Sequence, residues 1–130
     1  MPNSTTIRGF FIDPANNIAE ERTIKKSLDG YYSLLNCDTI TCASRYVGDR
    51  HHAYDIICDD EGLFKDITYP SAIDMDGSVV LVGAIFVVKF DGTDDWTSID
   101  DADVEHLRDN LRSVFTVDGH YMRVLSNVAY

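Results

Sequence analysis

Residues 79–90 read Val-Val-Leu-Val-Gly-Ala-Ile-Phe-Val-Val-Lys-Phe. This is the most apolar stretch of the chain, and its reading decides the fold. The run is interrupted by Gly83 and closed by Lys89. It is about half as long as a helix needs to cross a bilayer. Because it is apolar on both alternating faces, it predicts one strand buried on both sides, central in a sheet or covered by a helix.

Working upstream, residues 70–73 (Pro-Ser-Ala-Ile) and 74–77 (Asp-Met-Asp-Gly) lead into this strand through a turn. Residues 53–58 and 39–47 are two further strands, the latter in clean alternation. Between them, Gly48-Asp49-Arg50-His51-His52 is expected to turn the chain. Residues 59–62 form a second turn, and 63–67 allow a short strand. Nearer the start, residues 7–13 and 19–24 predict a hairpin around Pro14, Asn16 and Asn17, residues with turn chemistry. Leu28, Tyr31, Tyr32 and Leu35 have the spacing of an amphipathic helix over 25–35, although Gly30 lies inside it.

Downstream, the spacing predicts a helix over 97–115. Ser98 is placed as its N-cap and Asp101 at capping-box distance. Val104, Leu107, Leu111 and Val114 form its buried stripe. Residues 121–125 allow a final strand, and 126–130 have no evident role. No linker, repeat or low-complexity segment divides the chain, which predicts a single domain over residues 1–130. The fold class expected is α+β, a largely antiparallel sheet of about five to seven strands with two packed helices.

Charge is unevenly placed. The net charge is −11, and residues 59–109 hold fourteen acids against Lys65, Lys89 and Arg108. The first 58 residues are nearly balanced at −1. Such a surface repels nucleic-acid and membrane phosphates and steers basic partners toward itself. The segment 1–6 has no basic and apolar leader pattern, and the three cysteines, Cys37, Cys42 and Cys58, suit a reducing compartment. A cytoplasmic location is expected.

No motif carries catalysis. The chain has no G-x-S-x-G, Walker or G-x-G-x-x-G pattern. Cys37 and Cys42 are five residues apart and project to opposite faces of a strand running through both, which does not suit one metal ion. His51 and His52 are adjacent and diverge, while His106 and His120 stand alone in sequence. Asp74-Met75-Asp76-Gly77 lacks the third ligand position and later glutamate of a calcium loop. Neither a metal nor a cofactor is expected.

The runs Tyr-Tyr-Ser-Leu-Leu-Asn-Cys-Asp-Thr-Ile (31–40), Tyr-Asp-Ile-Ile-Cys-Asp-Asp-Glu-Gly-Leu (54–63), Pro-Ser-Ala-Ile (70–73) and Leu-Val-Gly (81–83) occur in this order. Together they resemble the domain-of-unknown-function 3846 family over residues 6–107. The resemblance implies a small accessory protein of a phage, plasmid or conjugative element in a bacterial cell. It brings no catalytic residues.

The expected function is therefore non-catalytic: binding of a host protein with a basic surface, a defence protein among the candidates. Asp94, Asp95, Asp100, Asp101 and Asp103 are the candidate contacts. The alternative is a small-ligand or nucleotide-sequestering module, oligomeric in one version. There Tyr31, Tyr32, Tyr46 and Tyr54 would supply aromatic faces and Arg45 a phosphate contact.

Overall fold

A computed structural model of the protein describes residues 5–60, 69–90, 92 and 95–129. In chain order the first elements are β1 (Thr6–Asp13), a 3-10 turn (Pro14–Asn16), β2 (Ile18–Lys25), α1 (Leu28–Leu35), β3 (Ile40–Val47) and β4 (Asp49–Asp59). There follow β5 (Pro70–Ile73), β6 (Val79–Val82), β7 (Ile85–Phe90), β8 (Trp96–Thr97) and α2 (Asp101–Asp109). The last are β9 (Leu111–Phe115), β10 (Tyr121–Leu125) and β11 (Val128–Ala129).

The fold is α+β. One antiparallel sheet of seven strands has the order β11-β3-β4-β7-β1-β2, with β8 paired to β7. A second, four-stranded sheet has the order β6-β5-β10-β9, and β5 and β10 in it are parallel. Helix α1 covers one face of the large sheet, where Tyr31 and Leu35 pack with Ile7, Phe11, Ile57 and Phe86. Helix α2 and the small sheet share the other face, where Val104, Leu107, Ala72 and Leu125 join Ile56 and Val87.

The apolar stretch 79–90 is two strands in two sheets rather than one continuous strand. Gly83 adopts φ of +75°, a conformation that favours glycine. Its N–H is bonded to the Tyr69 carbonyl, so the chain leaves the small sheet there and enters the large one as β7. Strand β7 then lies between β4 and β1, buried on both faces as its composition requires. The Phe86 ring rests on Gly9 of β1, where an added Cβ would meet the ring at 2.5 Å. Glycine at position 9 is thus a packing requirement of the core aromatic.

The β1–β2 hairpin forms around Pro14–Asn16 as expected, with Asn17 in the left-handed region. Helix α1 begins three residues later than predicted. Ser27 caps it by accepting from Gly30 N–H, and Gly30 lies in the first turn against the Lys25 carbonyl, where a Cβ would be 2.1 Å away. The glycine therefore makes room for the crossing chain instead of weakening the helix interior. At 48–52 the expected turn is far tighter. Gly48 alone reverses the chain at φ of +81°, and β4 starts at Asp49, so His51 and His52 are strand residues. The possible strand at 63–67 lies outside the described residues.

The second helix is shorter than the sequence predicts. Asp100 caps it instead of Ser98, in a reciprocal box in which Asp100 accepts from Asp103 N–H and Asp103 from Asp100 N–H. Ser98 instead accepts from the Arg8 backbone N–H. Helix α2 stops at Asp109, and Leu111–Phe115 is strand β9, pairing antiparallel with β10. Of the predicted stripe, Val104 and Leu107 are buried on the helix; Leu111 and Val114 belong to the sheet. The tail is structural as well, since β11 adds to the edge of β3 and buries Val128.

Candidate functional site

The acidic residues singled out in the sequence are largely engaged inside the fold. Asp95 pairs with Lys26 at 2.7 Å, and Asp101 with Arg8 at 2.7 Å while its side chain stays 95% exposed. Asp100 is the cap just described. Asp103 is buried; it accepts from the Tyr54 hydroxyl at 2.9 Å and pairs with Lys89 at 2.9 Å. Burial opposes its charge, but the Asp100 N–H, Lys89 and Tyr54 together hold its carboxyl below the usual carboxylate range. Asp94 lies outside the described residues. The basic partners Arg8 and Lys26 come from the nearly neutral N-terminal half, so part of the acidic segment is neutralised by folding.

The four tyrosines do not converge. Tyr31 is buried on α1 with its ring edge-on to Trp96 at 5.3 Å, and burial raises its pKa. Tyr54 is buried on the opposite face of the large sheet, where burial and the Asp103 bond keep its hydroxyl protonated. Tyr32 is half-buried on α1. Of the predicted ligand residues, Arg45, Tyr46 and Tyr54 contribute to one cleft, and Tyr31 and Tyr32 do not.

That cleft holds about 330 Å³ and lies over the β3–β4 pair, on the same face as α1. Ser44 and Tyr46 of β3 stand opposite Asp55 and Ala53 of β4. Phe90, 52% exposed, comes from the end of β7. The cleft exists because the β4–β7 ladder ends at Asp55–Val88, beyond which β7 pairs with β8 instead. Asp55 is 8% exposed. Its two oxygens accept from Ser44 Oγ at 2.7 Å and from the Trp96 indole N–H at 3.1 Å. Among the described residues, no basic side chain pairs with it. Arg45 donates to the Ser44 carbonyl at 2.8 Å, and the Arg50 guanidinium lies over the Tyr46 ring at 5.2 Å.

Ser44, Asp55, Phe90 and Trp96 belong to no sequence motif. One signal was legible: Asp55 is a charged residue inside the otherwise buried run Tyr-Asp-Ile-Ile-Cys, a placement that calls for a partner. The identity of that partner, Trp96, is set by a contact 41 residues away along the chain.

The histidines that stand alone in sequence have partners in space. His52 and His106 stack with centroids 3.7 Å apart, and His106 Nε2 donates to the Val47 carbonyl at 2.8 Å. Asp49 accepts from His52 Nδ1 and from the His51 N–H, which hold its carboxyl below its ordinary value. This stack ties the β3–β4 turn to α2. His120 stacks on Tyr69 at 4.4 Å, with Nε2 on the Pro14 carbonyl. Each ring is placed as a structural clamp.

Cys58 is buried, and burial pushes its thiol up to about 11. Alkylation of Cys58 at a pH of about 8, near the pKa of an ordinary thiol, should be slow in the folded protein and fast after unfolding. Rapid modification at Cys58 itself in the native chain, located by peptide mass spectrometry, would contradict this placement; the exposed Cys42 serves as the internal reference. Among the described residues no group of three His, Cys, Asp or Glu side chains is placed to hold a metal ion. No described helix is long and apolar enough to cross a membrane.

A family model described as a domain of unknown function, DUF3846, matches residues 7–112. The chain belongs to this family. No curated protein and no solved structure matches it. The DUF3846 match takes in the whole cleft and both helices, and it ends inside β9. Strands β10 and β11 lie beyond it, although Met122, Val124, Leu125 and Val128 are fully buried core residues. In this DUF3846 member the core is therefore completed by residues outside the matched region.

Proposed function

We propose that this protein is a non-catalytic binding module that engages a partner protein through a basic surface on that partner. The observation that carries this reading is the outer ridge of α2. Asp101, Glu105 and Asp109 recur every four residues and are exposed, so they lie one above another on the solvent side. Like charges at this spacing weaken a helix by about 0.2–0.5 kcal/mol per pair. The Glu105–Asp109 repulsion therefore costs stability, whereas Asp101 is offset by Arg8 and by its place in the first turn. In a chain of net charge −11, the ridge adds to a field that draws cationic surfaces in and turns phosphates away.

In the mobile-element setting that the family resemblance implies, the partner is a host protein. A defence nuclease or nucleic-acid-binding protein, whose own groove is cationic, fits that description. Within this proposal the contacts centre on the outer ridge of α2. Asp95, Asp100 and Asp103 serve the fold, and the surface available to a partner is Asp101 with Glu105 and Asp109. Neutralising the combined variant Glu105→Gln/Asp109→Asn should weaken binding of a lysine-rich peptide several-fold, mainly by slower association. Its thermal unfolding should be unchanged or slightly improved. A peptide affinity untouched by the double substitution would remove the ridge from the interface.

A further inference from the structure

We infer that the cleft between Tyr46 and Phe90 is a receptor for an alkylammonium group, the side chain of a lysine on the partner protein. This inference rests on the reading of a basic partner and gives that partner a specific anchor.

The chemistry of the walls selects the ligand. Two aromatic rings flank a carboxylate, and the Ser44 and Ala53 side chains between them are small. Aromatic faces attract cations through their quadrupole, and do so more strongly where water is excluded. Asp55 supplies the counter-charge. A carboxylate has about four lone-pair directions. Ser44, Trp96 and the Cys42 thiol engage three of them, which leaves room for one donor of an ammonium. A buried charge without an opposite charge is costly, and an incoming cation removes that cost. Arg50 lies over the Tyr46 ring at 5.2 Å, so an incoming ammonium shares Tyr46 with this guanidinium and depends chiefly on Asp55 and the Phe90 face.

The sign of the charge argues against anionic ligands. At about 330 Å³ the cleft is at the small end of ligand pockets, with room for a side chain of a partner. A phosphate would face the Asp55 carboxylate. Arg45 follows Ser44 on β3 and so alternates to the other face, where its guanidinium is bonded to the Ser44 carbonyl. Lysine, a compact point charge on a flexible stem, fits the recess better than the broad arginine fork.

Trp96 makes the test direct, because it is the only tryptophan and its indole N–H is bonded to Asp55. Its fluorescence and its indole N–H resonance report on that carboxylate. A lysine-rich peptide should change both saturably, while the same peptide with acetylated lysines should change neither. Phe90→Ala, at an exposed position, and Asp55→Asn should each weaken the Trp96-detected affinity about tenfold or more. Phe90→Ala keeps the test valid where Asp55→Asn disturbs folding.

If the peptide binds by anisotropy but the Trp96 signals stay still, the cleft assignment fails while the acidic-surface reading stands. If the peptide does not bind at all, both fail. A free diamine that saturates the Trp96 response as well as the peptide would overturn the lysine side chain as the source. A response to adenosine triphosphate would overturn the choice of a cation.

Discussion

Asp103→Ala is expected to destabilise the protein by about 3 kcal/mol, lowering its melting temperature by about 10 °C. The residue is 5% exposed and serves three elements at once. Its carboxylate accepts from the Asp100 N–H to close the capping box of α2. It also takes the Tyr54 hydroxyl of β4 and the Lys89 ammonium of β7. Removing it leaves a buried hydroxyl and a partly buried ammonium without their acceptor, and unmade bonds of this kind dominate the cost. Tyr54→Phe, which deletes only one donor, should cost about 1 kcal/mol.

The same carboxyl gives the fold an acid limit. Its folded pKa is depressed, so its contribution is fully present above the ordinary carboxylate value of about 3.9. That contribution is lost as pH falls through the lower folded value. The Asp103→Ala variant should therefore show a flatter stability profile below about pH 4 than the parent protein. Equilibrium denaturation across acidic pH checks both points. A loss under about 1 kcal/mol for Asp103→Ala would show that the box, the hydroxyl and the ammonium do not depend on it.

Phe86→Ala should cost about 4 kcal/mol. The side chain is fully buried on β7 beneath α1, among Ile7, Phe11, Tyr31, Leu35 and Ile57. Its contact with Gly9 supplies a sharper check. Gly9→Ala alone should cost about 1–3 kcal/mol because the new methyl meets the Phe86 ring at 2.5 Å. Combined with Phe86→Ala, the same substitution should cost little or fill part of the cavity. Urea denaturation of the four proteins forms a double-mutant cycle, and an interaction energy near zero would contradict the packing described.

Much of the fold was legible in the residues. The β1–β2 hairpin follows from Pro14 and Asn17, β3 from its alternation, and the buried character of β7 from Ile85–Phe90 having no polar face. Misreadings came where one residue overrides a longer pattern. Gly83 redirects an apolar run from one sheet to another, and Gly48 replaces a five-residue turn with a single positive φ. The 97–115 stripe kept helical spacing past Asp109, but pairing with Tyr121–Leu125 made its second half a strand, a long-range effect that periodicity does not contain.

The site was less legible for a related reason. Sequence locates charges but not their partners. Asp95, Asp100, Asp101 and Asp103 look like one acidic surface until Lys26, Arg8 and Lys89 arrive from elsewhere in the chain. Conversely, the Ser44–Asp55–Trp96 network assembles from three strands, and none of its members forms a motif.

If charge directs this protein to a basic partner, ionic strength should govern the affinity. The measurement is the affinity of a labelled lysine-rich peptide for the unmodified protein, by fluorescence anisotropy, from about 0.01 M to about 0.3 M salt. Across that range the screening length shrinks from about 30 Å to less than 8 Å. Binding that is firm at low salt and at least tenfold weaker at high salt is the predicted result. An affinity independent of salt, or no binding at the lowest ionic strength, would contradict it.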